Sequence, residues 1–439
     1  MENLPVEGSG GIREALIVQG HEAWLRGFSA IDRYLDRDSL PFVLVDTNAS
    51  LTELARLFEN LRFPGAVLAD AAVEFQGRDY LFRCPDSGAI KDSAYGILCF
   101  SQDWKTGRFY DPCGFYPLLR RLRNAGQPQT GATGNRAQDQ EAPPWWEGFE
   151  TAENWLRGVT DGALILARYG FQESCKVCSR FKPPVSDNPC DSCEPENRQR
   201  ELVKIAVAAG ALPRSAPPCR EEQRLLLMGL LDSPHPELGF EFLKAANFVG
   251  KYWPELALLD GVDHSKEFHP EGNVWKHTME TFRYRKSGRN HTAYDLRLSL
   301  SLLLHDSGKP LAESSGGRRF RAHAELGAGV AQHFLGRLGF NQRLIDDVAW
   351  LVKNHMFPAA MPRLPLNRTR EIVEAVLYPT LMELYRCDES SSFKGLEGYY
   401  ESSAAYRHYL KYCRNPYRTA DGKKMGRGTC DKKPGPTRP

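Results

Sequence analysis

The sequence predicts an α+β protein in which a small mixed α/β domain is followed by a long, mostly helical region. Short apolar runs and alternating segments before residue 123 are typical of strands, whereas apolar residues recur at helical spacing from residue 150 onward. The chain has 439 residues, 41% of them hydrophobic, which is enough for several domains with their own cores.

The composition excludes several classes of protein. The net charge of +2 provides no overall attraction for a polyanion. No run of about 18 uncharged apolar residues is present, so no membrane partner is expected. Residues 1–13 lack the basic stretch and apolar core of a secretory signal, and 11 cysteines are too few for a disulfide scaffold. We therefore expect a cytoplasmic protein.

Local patterns predict the N-terminal elements. Residues 41–46 form an apolar run typical of a buried strand, and Ser50 followed by Glu53 is the signature of a helix start. Residues 73–75 and 79–82 alternate like strands. An α+β domain is predicted at 14–123.

Composition changes mark the remaining boundaries. Residues 124–145 are rich in Gly, Gln, Pro and Ala, which predicts a flexible linker. Helical spacing then predicts a helical region at 146–250, with an insert at 175–193, and a further helical domain at 251–412. The basic, Pro- and Gly-rich tail at 413–439 is expected to be disordered.

The insert carries two Cys-x-x-Cys pairs separated by eleven residues. Two such turns complete a tetrahedral all-sulfur shell, which Zn²⁺ prefers and which leaves no open position. The pattern favours a structural zinc knuckle, with two redox pairs or coincidence as the alternatives. The ligands would be Cys175, Cys178, Cys190 and Cys193.

Histidines and aspartates form a second constellation. His305 and Asp306 directly follow an apolar helical pattern at 296–304, and Gly308 and Pro310 are helix stop signals. Burying two ionisable groups there costs several kcal/mol unless they are paired. Imidazole and carboxylate together suit divalent transition metals, although a lone histidine at a helix end is usually structural. Further candidates nearby are His277, His323, His355 and Asp388.

These residues resemble the H…HD…D signature of HD-domain phosphohydrolases. Within about 222–390, the segments FHPEGNVWKHT, LLHDSGKP, FRAHAELGA and LVKNHM resemble the HD domain of bacterial CCA-adding enzymes (tRNA nucleotidyltransferases) and their poly(A) polymerase relatives. The resemblance implies an all-α HD domain with one metal held by His277, His305, Asp306 and Asp388. It also implies a second metal site completed by His323 and His355, with Lys309 near a substrate phosphate. Glu383 and Glu389 remain alternatives to Asp388.

The N-terminal domain resembles the nucleotidyltransferase head of the same superfamily over residues 30–58. At the two metal-binding aspartates of that family, this chain has Phe42 and Leu44. Nucleotidyl transfer with two metals needs carboxylates, and Asp46, in a shifted register, supplies only one. We therefore expect a nucleotidyltransferase-like fold without transferase activity, the alternative being an unrelated α+β domain.

Together these expectations describe a metal-dependent HD phosphohydrolase acting on a nucleotide or an RNA 3′-end phosphate, tRNA included. His305, Asp306 and Lys309 would be catalytic at a phosphomonoester or cyclic phosphodiester. The expected cofactors are structural zinc and a divalent metal in the HD site, namely Mn, Co, Ni, Mg or Fe. Two alternatives stay open: an active tRNA nucleotidyltransferase with relocated carboxylates, and a non-catalytic RNA-binding protein. The sequence leaves the oligomeric state open.

Overall fold

The computed structural model describes residues 10–38, 40–65, 68–84, 96–125, 155–170, 217–263, 272–286, 295–314, 322–392 and 395–413. The four-cysteine segment 175–193 lies outside these residues, as do 126–145 of the predicted linker and 414–439 of the predicted tail. The chain divides into two compact units. One comprises Met1–Leu258, Arg285–Ser299 and His333–Gln342, and the other comprises Leu259–Tyr284, Leu300–Gln332 and Arg343–Pro439.

The N-terminal region is built on a six-stranded sheet with the strand order β3-β4-β2-β1-β5-β6. β2 and β4 are parallel, and the other neighbouring strands are antiparallel. The strands are β1 (Ala23–Arg26), β2 (Phe42–Thr47), β3 (Ala71–Phe75), β4 (Arg78–Arg83), β5 (Ser101–Asp103) and β6 (Phe109–Tyr110). The helices of this region are α1 (Gly10–Val18), α2 (Phe28–Leu35), α3 (Leu51–Leu57) and α4 (Tyr116–Ala125).

Local sequence explains these elements. Every residue of β2 is buried, as its continuous apolar run predicts for a strand covered on both faces. Ser50 and Glu53 form a reciprocal capping box at the start of α3. The predicted strands and helix start of the N-terminal region are therefore confirmed.

From Trp155 onward, the regular elements of the described residues are helical. The α-helices are α5 (Trp155–Tyr169), α6 (Arg220–Leu231), α7 (Pro236–Ala245), α8 (Phe248–Tyr252), α9 (Pro254–Ala257), α10 (Val274–Thr281), α11 (Leu296–Leu304), α12 (Lys309–Ser314), α13 (His323–Leu338), α14 (Gln342–Asn354), α15 (Phe357–Ala360), α16 (Leu366–Val373), α17 (Tyr378–Ser390) and α18 (Glu397–His408). Short 3₁₀ turns and one π turn at Tyr409–Cys413 separate or extend them. The predicted α+β class, with an N-terminal sheet and a mostly helical C-terminal region, is confirmed. In the described part of the chain, no helix is both long and apolar enough to cross a bilayer.

One face of β2 carries Phe42, Leu44 and Asp46, because alternate residues of a strand point to the same side. Phe42 and Leu44 are buried. A methyl group placed on Gly229 of α6 would lie 3.3 Å from the Phe42 ring and 2.8 Å from the Leu164 side chain of α5. The side chains at the two positions matched to the metal aspartates are therefore apolar core residues, and Phe42 packs at the place where α5 and α6 approach each other.

The third residue of this face is paired with a buried cation. Asp46 forms an ion pair with Arg26 at the end of β1, and both side chains are almost inaccessible. Burial raises the pKa of Asp46, an effect that Arg26 and Arg83 oppose. The Asp46 carboxylate is therefore committed to an internal ion pair in this structure.

Candidate metal centre

Six candidate ligands lie at or close to helix ends in the C-terminal region. His277 belongs to α10, His305 and Asp306 directly follow α11, and His323 begins α13. His355 directly follows α14, and Asp388 lies in the last turn of α17. His277, His305, Asp306 and His355 are almost completely buried, whereas His323 and Asp388 are partly exposed. The structure brings all six together.

The first group of ligand atoms belongs to His277, His305 and Asp388, and all three atoms lie within 4.8 Å of one another. His277 Nε2 is 3.0 Å from Asp388 Oδ1 and 3.4 Å from His305 Nε2. The distance from His305 Nε2 to Asp388 Oδ1 is 4.0 Å. Such spacing lets one cation contact all three atoms.

The second group comprises Asp306, His323 and His355, whose ligand atoms meet the same 4.8 Å limit. His323 Nε2 and His355 Nε2 are 3.1 Å apart. Asp306 Oδ1 lies 3.6 Å from the former and 3.9 Å from the latter. Two imidazoles and one carboxylate are a ligand set that suits a divalent transition metal.

Asp306 connects the two groups. While its Oδ1 faces the second group, its Oδ2 lies 3.3 Å from His305 Nε2 and 3.9 Å from His277 Nε2. Asp306 would therefore offer one carboxylate oxygen to each group.

The hydrogen bonds of the outer ring nitrogens show that this cluster fits a metal. His305 Nδ1–H donates to the Leu302 carbonyl at 2.8 Å, and His355 Nδ1–H donates to the Val352 carbonyl at 2.7 Å. A carbonyl can only accept, so in each neutral ring the proton is on Nδ1 and Nε2 presents a lone pair to the cluster. Outer partners of this kind are typical of metal-ligating histidines.

Electrostatics keep Asp306, Asp388 and His355 in protonation states that suit metal binding. Burial by itself would raise the pKa of Asp306, but Lys309 and His305 outweigh it and hold that pKa well below its ordinary range. Burial likewise opposes ionisation of Asp388, and its hydrogen bond to His277 together with the neighbouring imidazoles lowers its pKa. Burial, together with His305, lowers the pKa of His355 to about 4. At neutral pH the carboxylates are ionised and His355 is neutral, as metal binding requires.

Lys309 contacts one of the candidate ligands. Its Nζ donates to Asp306 Oδ2 at 2.6 Å from the first residue of α12. The family resemblance implied that Lys309 lies near a substrate phosphate; in the structure its ammonium group contacts the Asp306 carboxylate.

The alternatives to Asp388 have other partners. Glu383 accepts two hydrogen bonds from Arg386, at 2.8 and 2.6 Å, and Glu389 accepts one from Tyr385. Of the three acidic residues of α17, Asp388 is the one in the cluster. The zinc site predicted at Cys175, Cys178, Cys190 and Cys193 lies outside the described residues and stays a prediction.

The sequence did not indicate Ser391, whose hydroxyl lies 3.3 Å from His277 Nδ1. A serine three positions after a ligand at a helix end is a weak signal, since many helices end at serine. The sequence also gave no sign that Arg26 is the partner of Asp46.

Acidic pH should destabilise the metal-free protein through His355. We expect the unfolding free energy of the protein to fall as pH decreases from about 6.5 toward 4. In that window the unfolded histidine binds a proton, whereas the folded one, with its pKa of about 4, does not, so protons favour the unfolded state. Urea unfolding in the presence of a chelator at several pH values measures the slope.

Two asparagine variants control this measurement. His355→Asn should flatten the slope, and His333→Asn should leave it unchanged because that imidazole is largely exposed. An identical slope in all three proteins would contradict the assignment to His355.

Comparison with known proteins finds a matching family for the part of the chain that carries most of this cluster. Residues 274–386 match the HD domain family. The chain is 33% identical over 178 residues to the CC-adding tRNA nucleotidyltransferase of Thermus thermophilus, which covers 40% of this chain and 39% of that protein. It is 31% identical over 208 residues to the A-adding tRNA nucleotidyltransferase of Deinococcus radiodurans, with 45% of each chain covered. The matches thus span less than half the length of these relatives.

A solved structure, the CCA-adding enzyme of Bacillus stearothermophilus in complex with CTP, matches with a TM-score of 0.48 and 13% identity. The match covers 94% of this chain and 84% of that one.

These relatives overturn the function expected from the sequence. The expectation of an HD phosphohydrolase without transferase activity is wrong, because the relatives are named as tRNA nucleotidyltransferases. A cluster of side chains that could hold a metal indicates a capacity to bind it and does not identify a reaction. The resemblance of this chain to the CCA-adding enzyme superfamily is confirmed, and residues 274–386 match the HD domain family.

Proposed function

We propose that the protein is a tRNA nucleotidyltransferase that adds C or A to the 3′ end of tRNA. The observation that carries this proposal is the sequence identity of 33% and 31% to a CC-adding and an A-adding enzyme. Both relatives are named as nucleotidyltransferases of tRNA, so tRNA and a nucleoside triphosphate are the partners that we infer.

Asp46 is the residue that we assign to the transfer step in the N-terminal domain. A metal that contacts a triphosphate needs carboxylate ligands, and Asp46 is the carboxylate on the β2 face that also carries Phe42 and Leu44. In this proposal Asp46 exchanges its contact with Arg26 for the cation that accompanies the nucleotide.

The HD domain contributes a second, separate metal centre. His277, His305 and Asp388 would hold one cation and Asp306, His323 and His355 another. With two imidazoles in each group, we infer Mn, Co, Ni or Fe in preference to Mg, which favours oxygen ligands. A bound cation would supply positive charge and Lewis acidity, and Lys309 adds a further cation at Asp306.

A second candidate function, binding of tRNA without transfer, is favoured by one specific observation. Phe42 and Leu44 are buried at the positions matched to the metal aspartates, and Asp46 is paired with Arg26. In this alternative the N-terminal domain keeps the fold and binds RNA or a nucleotide without chemistry.

Label incorporation separates the two candidates. The purified full-length protein is incubated with labelled CTP or ATP and with tRNA transcripts that end before the first C, the second C or the final A. We expect incorporation into at least one transcript, together with retention of tRNA in a filter-binding assay. Retention without incorporation would favour the second candidate, and neither result would reject both.

A further inference from the structure

His277 differs from its neighbours in the group that faces its outer ring nitrogen. The Nδ1 atoms of His305 and His355 face backbone carbonyls, which no substitution removes. His277 Nδ1 instead lies 3.3 Å from the hydroxyl oxygen of Ser391. A single side-chain change can therefore remove this contact.

The position of Ser391 determines which way this hydrogen bond runs. Ser391 directly follows α17, and its hydroxyl donates to the Asp388 carbonyl at 2.7 Å. A hydroxyl has one proton. Because Ser391 donates that proton to the Asp388 carbonyl, its oxygen can only accept a hydrogen bond from His277. His277 Nδ1–H is then the donor, and His277 Nε2 presents a lone pair toward His305 and Asp388.

We propose that Ser391 is a positioning residue of the metal centre, which fixes the metal-binding tautomer of His277 and ties that ring to the end of α17. Through one hydroxyl, the ligand on α10 is connected to the backbone of Asp388, the ligand on α17. Both ligands belong to the same group of three. The inference goes beyond the proposed function, because it concerns metal binding whether or not the protein transfers nucleotides.

Neighbouring serines supply a matched control. Ser392 follows Ser391 directly, is also half-buried, and donates to the Glu389 carbonyl at 2.9 Å. It therefore makes the same kind of helix-end contact, but to a residue outside the two ligand groups. Ser391→Ala and Ser392→Ala remove equal numbers of atoms and differ in the contact with His277.

Metal affinity tests the proposal directly. Co²⁺ is titrated into the metal-free full-length protein, and binding is followed by calorimetry and by the visible absorption of the bound ion. Loss of an outer partner typically weakens metal binding by about 10- to 100-fold. We expect that loss in Ser391→Ala and less than about a twofold change in Ser392→Ala. Equal affinities in the two variants would overturn the proposal.

A second pair of variants controls for packing. Ser391→Thr keeps the hydroxyl and Ser391→Val replaces it with a methyl group of similar size. We expect Thr to retain affinity and Val to lose it. Nitrogen-15 shifts of His277 report the tautomer independently of metal, and we expect the Nδ1–H form in Ser391→Thr and a loss of that preference in Ser391→Val. Val with the affinity and tautomer of Thr would reject the role of the hydroxyl, even if the alanine variant does not fold.

Discussion

Asp306→Asn should empty the HD-domain metal centre. Asp306 is the residue whose two oxygens face both ligand groups, with one oxygen 3.3 Å from His305 Nε2 and the other 3.6 Å from His323 Nε2. The amide removes the negative charge that attracts the cations. In the wild-type protein the Lys309 ammonium group lies 2.6 Å from an Asp306 oxygen. In the variant Asp306 no longer offsets this positive charge, which stays beside the site. Both changes disfavour a divalent cation.

The expected loss of affinity is at least about 1,000-fold, more than the 10- to 100-fold typical of an outer partner. Elemental analysis after dialysis against a limiting concentration of Mn²⁺ or Co²⁺ measures the retained metal. Asp346→Asn, an exposed change on α14, is the control and should retain the wild-type amount. If the Asp306 variant retains as much metal as this control, the cluster is not the binding site.

The six candidate ligands could be predicted from the sequence because each lies within or beside a short sequence pattern. His305 and Asp306 end a run of leucines, and an ionisable pair there needs a partner. The positions of the predicted helix ends and the family motif then indicated the other four candidates, His277, His323, His355 and Asp388. Ser391 could not be predicted, because its contact joins residues 114 positions apart and depends on how α10 lies against α17.

The N-terminal domain shows the same division between local and long-range information. The buried strand at β2 and the capping box at Ser50 follow from neighbouring residues and were predictable. The partner of Asp46 was not, because the register of β1 on β2 sets Trp24 opposite Asp46 and the ion pair forms with Arg26, two residues further along β1. The sequence therefore identified Asp46 as a candidate carboxylate but did not indicate that the buried guanidinium of Arg26 pairs with it.

The Arg26–Asp46 pair gives a second large effect, on stability. Burial lowers the pKa of Arg26 and raises that of Asp46, so each charge depends on the other. Removing one partner of a buried ion pair typically costs about 3–5 kcal/mol. We expect both Arg26→Ala and Asp46→Ala to lower the unfolding free energy by about that amount in urea titrations. The double variant Arg26→Met/Asp46→Leu should lose much less than the sum, because it leaves neither charge buried alone.

Nucleotide transfer distinguishes what the two residues do beyond stability. If Asp46 holds the cation of an incoming triphosphate, Arg26→Ala keeps that carboxylate and should retain incorporation into tRNA at a temperature where the variant is folded. Asp46→Ala and the double variant should then lose incorporation by at least about 100-fold, since removing a metal carboxylate removes the charge that the cation needs. Equal incorporation by the Arg26→Ala and Asp46→Ala variants would show that the pair acts through stability alone. The carboxylates for transfer would then have to lie elsewhere than on the β2 face, whose other side chains, Phe42 and Leu44, cannot bind a metal.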